Sequence, residues 1–344
     1  MSTYFLRRIL LMIPTFIGIT FVCYSIMRFV PGGPVEQAIM KLQMGGAANA
    51  GAEVGAGADS ETEISEEMIE ELKKIYGFDK PLPVAYASWL WNVLQFDLGS
   101  SYDYDDPVWD LISERFPVSL FFGGIGFVLS YLICIPLGIF KAMRHGSMFD
   151  WASSVIVFIG YAIPGFAMGI VLLVLFGGGS YWDVFPLGGL QSEGYDNFST
   201  WGKIQDRFNH AILPVFCYMV GSFASTTVLM KNSLMENLGQ DYVRTAFAKG
   251  LEERVVVFKH VFRNSLIPIA TGAAHFLSIL LAGSYLIEKV FDIHGVGLLG
   301  FKAIVSRDYP VTLGVIVIGS VLTLIGNLIA DFLYAAIDPR IRFK

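Results

Sequence analysis

Few residues in this 344-residue chain could do chemistry, and their spacing speaks against covalent catalysis. None of its five histidines falls in a His-Glu-x-x-His pair, so a zinc-dependent hydrolase is unsupported. The chain has no Gly-x-x-x-x-Gly-Lys-Ser/Thr loop to cradle phosphates and no Gly-x-Ser-x-Gly turn to present a nucleophile. Cys23, Cys134 and Cys217 each fall in an apolar run and read as small buried hydrophobes. The informative cluster is one segment, 241–268. It opens with Asp241, Tyr242, Val243, Arg244, Thr245, Ala246, Phe247, Ala248 and Lys249, good helix formers that run up to Gly250. Beyond Gly250, Leu251, Val255, Phe258 and Phe262 recur at helical spacing on one side. Glu252, Glu253, Arg254, Lys259 and Arg263 take the other side. Gly250 stands where a sharp turn needs a residue free to adopt positive φ. The chemistry this supports is recognition: a short helix-turn-helix with an apolar stripe and a charged rim fits a groove on another protein. An amphipathic helix on anionic lipid shows the same pattern, although four acidic residues beside six basic ones in 231–265 dilute that attraction.

Composition says what kind of elements must hold this segment. Hydrophobic residues make up 54% of the chain and charged residues 16%, against about a quarter charged in a soluble domain. Mean hydropathy is +0.57, so the outer surface faces lipid. Crossing a hydrocarbon core of about 30 Å takes roughly 20 mostly apolar residues. Six stretches qualify: 9–30, 117–140, 152–176, 211–230, 266–287 and 311–337. The sequence thus predicts an all-α polytopic protein with six transmembrane helices. Pro14, Pro136, Pro164 and Pro268 lie in or near these spans, where neighbouring helices can satisfy the freed carbonyls. Gly123, Gly124 and Gly126, and Gly165 with Gly169, would let helices approach closely in a packed bundle. Arg7 and Arg8 precede the first span as in a signal peptide. Its apolar run is long, however, and Pro31-Gly32-Gly33-Pro34 replaces a small-residue cleavage site, so it reads as a retained helix.

Lys and Arg placement sets the orientation. With the N-terminus inside, the chain start, 141–151, 231–265 and the tail after Ile337 hold 13 basic residues. The loop 31–115 then lies outside, with 16 acidic against 5 basic residues, and both termini are cytoplasmic. The chain therefore divides into an N-terminal transmembrane helix (1–30), an extracytoplasmic loop (31–115), a helical region (116–337) containing the loop 231–265, and a tail (338–344). Within the outer loop, 44–64 is too poor in large apolar residues to build a core and is expected to be a disordered insertion. Order returns at Ser65, a helix cap, with Glu66 and Glu67 suiting the first turn, Ile69, Leu72 and Tyr76 marking one face, and Gly77 as the stop. A second amphipathic stretch, 84–94, carries Trp89 and Trp91, suited to a membrane-surface belt or to a docking face.

Isolated polar residues in the spans carry less. Asn327 and Asp331 share one helix face; a carboxylate at that depth is a functional candidate, and packing or capping is its plainer role. Arg28, at the outer end of its span, can snorkel to the headgroups. His275, with Ser278 one turn on, reads as a hydrogen-bonded interior histidine. Glu288 and Lys289 end the fifth span at the outer surface, where a gate and a salt bridge are both open. A transporter driven by an ion gradient would set ionisable groups near the midplane at broken helices. With His275 and little else there, that reading stands as the alternative.

The loop around Gly250 resembles the signature loop of permease subunits in ATP-binding-cassette (ABC) importers, in the dipeptide/oligopeptide/nickel branch. Arg244-Thr245-Ala246 stands where the general Glu-Ala-Ala consensus would be. The similarity extends over most of the chain. Pro31-Gly32-Gly33-Pro34 resembles that family's Pro-Gly-Asp-Pro, with Gly33 in place of the acid. Tyr76-Gly-Phe-Asp-Lys-Pro81 and Asp97-Leu-Gly-Ser-Ser101 match its outer-loop landmarks. Glu288-Lys-Val-Phe-Asp-Ile-His-Gly-Val-Gly297, Arg307-Asp-Tyr-Pro310, Asn327-Leu-Ile-Ala-Asp331 and Asp338-Pro-Arg340 follow in order. The insertion 44–64, the Gly-Gly-Pro variant and 178–186 are most similar to the Yej-type branch associated with peptide and microcin C uptake.

This resemblance implies a type I ABC importer permease fold, with 116–337 as the transmembrane domain, in a bacterial inner membrane. It implies a non-catalytic transport subunit for peptides or peptide-like compounds that binds no cofactor itself. ATP and Mg would belong to two partner ATP-binding-cassette ATPase domains. A second homologous permease, an extracytoplasmic substrate-binding protein and the lipid membrane are the other implied partners, and nucleic acid is not among them. In that family the glycine turn inserts into a cleft of the ATPase. Here the coupling role falls on Asp241, Tyr242, Val243, Arg244, Thr245, Ala246, Ala248, Lys249, Gly250, Leu251, Val255, Phe258 and His260. A nickel permease would share the architecture, but no His/Met/Cys cluster is present to favour nickel.

Overall fold

The computed structural model describes residues 2–40, 66–75, 77–179, 181–274 and 285–337. Its helices in chain order are α1 (Ser2–Phe29), α2 (Glu66–Ile75), α3 (Leu82–Leu94), α4 (Val108–Met143), α5 (Met148–Ala162), α6 (Gly165–Phe176), α7 (Thr200–Leu238), α8 (Asp241–Ala248), α9 (Ile267–Ala274), α10 (Tyr285–Val290), α11 (Val296–Ser306) and α12 (Tyr309–Ile337). Shorter helical pieces lie at 34–40, 195–197 and 253–265. Among the described residues there is no β-strand, only isolated bridges between Ser100 and Pro107 and between Gly177 and Phe185. The expected insertion 44–64, the cap Ser65, Tyr76, His275, Ser278 and the tail from Asp338 lie outside the described residues.

Among the described residues, four helical segments are long and apolar enough to cross a membrane: Tyr4–Met40, α4, α7 and α12. Together α5 and α6 pass the same test, but they are bent by 94° at the break between them. The expected third span, 152–176, is therefore not one straight helix. Proline has no N–H to continue the ladder, and its ring drives the preceding residue out of the helical region. Accordingly Ile163 is extended, with φ −96° and ψ 119°, and Pro164 starts the new helix. Of the expected fifth span, 266–287, only the ends are described, in α9 and α10.

Two compact units make up the chain. The first comprises Met1–Met12, Ser113–Leu299 and Ile318–Lys344. Here α7 joins two apolar cores. One gathers Phe122 of α4 with Ala211, Leu213, Val215 and Cys217 of α7 and with Ile287, Phe291 and Ile293. The other gathers Ile139 and Ala142 of α4 with Met230 and Leu234 of α7 and with residues beyond Gly239. Glycines allow the close approach expected of them. A methyl group on Gly126 would sit 2.8 Å from the Tyr218 Cβ, and one on Gly165 would sit 2.9 Å from the Cys217 carbonyl. Asp331, 4% exposed, meets Arg8 of α1, whose Nε lies 2.8 Å from its carboxylate. Its role is thus an interhelical ion pair.

The second unit comprises Ile13–Ile112 and Gly300–Val317. Its α2 has Glu66 and Glu67 in the first turn and Lys73 and Lys74 in the last, which complements the helix dipole. The stop comes at Gly77, φ +72°, where the Phe78 N–H reaches the Lys73 carbonyl at 2.7 Å and the Gly77 N–H the Lys74 carbonyl at 3.2 Å. Arg28, at the outer end of its expected span, turns towards the loop that follows α2. Its guanidinium donates to the carbonyls of Gly77, Phe78 and Lys80 and stacks over the Phe78 ring at 5.0 Å. On α3, Trp89 packs on Tyr24 and Tyr86, while Trp91 is exposed. The separate sequence landmarks also meet in this unit. Asp308 sits just before α12, accepts the Val311 N–H, and takes a hydrogen bond from the Ser101 hydroxyl. Arg307 donates to the Pro31 carbonyl.

Asp308→Ala removes both the helix cap and the acceptor for Ser101, at an expected cost of about 1–3 kcal/mol. Asp308→Asn, which keeps an acceptor oxygen, costs less. Thermal unfolding of the purified protein in detergent measures both, and equal midpoints for Asp308→Ala and the native protein would contradict the capping role.

Candidate functional site

The segment around Gly250 is an elbow between α7 and α9. Gln240 is extended, φ −78° and ψ 151°, and turns the chain from α7 into α8. Asp241 occupies the first turn of α8, where a negative charge suits the helix N-terminus. Val243 and Ala246, three apart, are 1% and 7% exposed and fix the buried face of α8. The helix ends in a Schellman motif. The Leu251 N–H reaches the Ala246 carbonyl at 3.4 Å, the Gly250 N–H reaches the Phe247 carbonyl at 2.9 Å, and Gly250 takes φ +81°. A side chain in that left-handed conformation would be strained.

The chain then winds through an α-turn, Glu253–Val255, a π-helix, Val256–Val261, and a second α-turn, Phe262–Ser265. The wider winding departs from the expected α-helical spacing and decides which face is buried. Val256, Val257 and Val261, each at most 1% exposed, enter the core with Ile139, Met230, Leu234, Val243, Ala246 and Ile269. The predicted stripe of Leu251, Val255 and Phe258 is instead exposed, and Phe262 alone of that set packs against the core. Ser233 and Ser265 lock the return, each hydroxyl donating to the other residue's carbonyl, at 3.0 Å and 3.3 Å.

Of the residues assigned a coupling role from sequence, Val243 and Ala246 are core residues that hold the elbow in shape. His260 is half-buried. Asp241, Tyr242, Arg244, Thr245, Ala248, Lys249, Gly250, Leu251, Val255 and Phe258 all lie on the surface. The Tyr242 hydroxyl donates to Asn237 at 3.0 Å, and Arg244 stands 3.6 Å from Asp241 in a fully hydrated pair of little energetic weight. The apolar side chains of Tyr242, Phe247, Leu251, Val255 and Phe258 are exposed on the elbow, a set called its ridge. Exposed apolar side chains on a core-anchored element can bind a complementary groove on another protein.

Two buried polar centres lie elsewhere in the same unit, and the role of neither is legible in the sequence. Asp150, 5% exposed at the start of α5, receives Lys231 of α7 at 2.8 Å and 2.7 Å. Lys141 of α4, 1% exposed, lies 3.1 Å from the same carboxylate and donates to the Asp150 carbonyl, Ser153 and Ser154 at 2.7–2.8 Å. Lys141 and Lys231 had counted only as orienting charges. Glu288 was left open between a gate and a salt bridge. It is fully buried and caps α11 instead: Leu298 N–H donates to it at 2.6 Å and the Ser119 hydroxyl at 3.2 Å, while Ser119 accepts the Val296 N–H at 2.8 Å.

Asp150→Asn strips the anion from two ammonium groups, with an expected loss of about 3–5 kcal/mol of stability. Lys231→Met leaves a balanced Lys141–Asp150 pair and should cost clearly less. Unfolding midpoints of the two variants give the ordering, and the reverse order would contradict the charge assignment.

The pattern of the family described as binding-protein-dependent transport system inner membrane component matches residues 134–343, which include the whole elbow. The peptidoglycan transport system permease protein YejB of Agrobacterium fabrum is 41% identical, covering all of this chain and 99% of that protein. The inner membrane ABC transporter permease protein YejB of Escherichia coli O157:H7 is 42% identical over the whole of both chains. The oligopeptide transport system permease protein AppB of Bacillus subtilis is 36% identical, again over the full length of each. On this likeness the chain belongs to the family of binding-protein-dependent transport system inner membrane components.

Proposed function

We propose that this chain is one of two pore-forming permease subunits of an ATP-driven importer for peptides or peptide-like compounds. It crosses the inner membrane six times with both termini in the cytoplasm, the third crossing being the broken pair α5–α6. The elbow then lies in the cytoplasm and seats its exposed ridge in a cleft of an ATPase subunit, which binds ATP and Mg. A second permease completes the pathway, and a substrate-binding protein delivers cargo to the outer face. The observation that carries this reading is the construction of the elbow. Its inner face is locked to α4 and α7 through Val243, Ala246, Val256, Val257 and Val261, so a push on the outer ridge is passed to the bundle instead of bending the loop. The names of the relatives support peptide-like cargo, and one of them extends it to peptidoglycan.

Gly250→Pro tests this in the assembled importer. Proline has no N–H for the bond to Phe247 and cannot take positive φ, so ATPase co-purification and ATP-driven peptide uptake into vesicles should both fall at least about tenfold. Unaltered association and uptake would overturn the proposal, as would uptake that persists after ATP depletion with the proton gradient intact.

A further inference from the structure

The elbow also bears a groove of about 540 Å³, lined by Tyr242 and Leu251 of the ridge, by other residues of α8 and the run 259–264, and by Ile337. Among the described residues its lining includes four basic side chains, Lys249, Lys259, His260 and Arg263, and no carboxylate. Arg263 is fixed in place, its Nε donating to the Ile337 carbonyl at 2.6 Å and its Nη2 to the Ala336 carbonyl at 3.3 Å. These partners are neutral carbonyls, and among the described residues Arg263 makes no ion pair. Lys249 and Lys259 make no ion pair among the described residues. The acids of the elbow, Asp241, Glu252 and Glu253, are exposed and outside the lining. Ala246 and Leu251 add an apolar patch to the lining.

Converging like charges in a concave, partly apolar site focus a positive potential, and such a site gains most from a discrete anion that enters it. We propose that this groove receives an acidic side chain, Asp or Glu, from the ATPase subunit that the elbow contacts. The carboxylate would sit among Lys249, Lys259 and Arg263, with its aliphatic stem against Leu251. A flat anionic membrane surface fits less well. It would meet the exposed rim of Glu252 and Glu253 together with the basic residues, whereas a single inserted side chain meets only the basic lining. The inference rests on the coupling role proposed above and adds the chemistry of the partner: an acidic projection beside the apolar cleft.

The test uses the full permease pair in nanodiscs of neutral lipid with the separately purified ATPase. Lys249→Glu with Lys259→Glu should weaken ATPase binding at least about tenfold, with unfolding midpoints unchanged because both lysines are exposed. If that double variant fails to assemble, Lys249→Met with Lys259→Met carries the test. It should weaken binding and flatten the fall in affinity that the native pair shows as salt is raised. Native affinity for both charge variants, with association still lost in Gly250→Pro, would overturn the groove assignment and leave the elbow's role standing. Native affinity in all three would overturn both. Weakened binding to phosphatidylglycerol vesicles with unchanged ATPase affinity would assign the groove to lipid and overturn the proposal.

Discussion

An apolar solvent offers no partner to a backbone N–H or C=O, and this constraint shapes the chain at every scale. Helices satisfy these groups internally, which is why, among the described residues, the segments able to cross a membrane are built from helices. The consequences show most clearly where helices start, stop or break. At Pro164 the ladder cannot continue, and the chain bends by 94° before α6 resumes. Elsewhere the loose ends are taken by side chains with an oxygen to offer. Asp308 accepts the Val311 N–H ahead of α12, and Glu288 with Ser119 covers the first donors of α11. Residues that look like scattered polar intrusions in the sequence are thus closures of helix ends.

The elbow follows from the same accounting with a different outcome. Its turn is closed by backbone bonds, through the Schellman pair at Gly250, so closing it takes no side chain. The π-helix that follows rotates Val256, Val257 and Val261 inward and leaves Leu251, Val255 and Phe258 on the surface. Single π-turns are uncommon and recur at functional sites. Here the irregular winding lets one short segment be core on one side and a recognition ridge on the other.

Buried charge is used sparingly. Lys141, Asp150 and Lys231 join the ends of α4 and α5 to α7, and a half-exposed Arg8 joins α1 to the buried Asp331 of α12. Buried ion pairs contribute little net stability, yet breaking one side is costly, so they fix register more than they add strength. In a bundle whose apolar faces slide easily against lipid and one another, such fixed points select one arrangement of the helix ends.

Composition and periodicity were enough to read an all-helical membrane protein from the residues, because hydrophobic length and local turn chemistry are encoded within a few turns of chain. Gly250 and Gly77 were recognisable as turns for the same reason. The buried face of the elbow was not, since α and π winding share one residue pattern and only packing against α4 and α7 selects between them. Nor could the residues alone pair Asp150 with Lys231, 81 positions away, or Glu288 with Ser119, 169 away. A charged side chain carries no label for its distant partner. Its meaning is fixed only when folding removes water and leaves one counter-charge or one set of donors within reach.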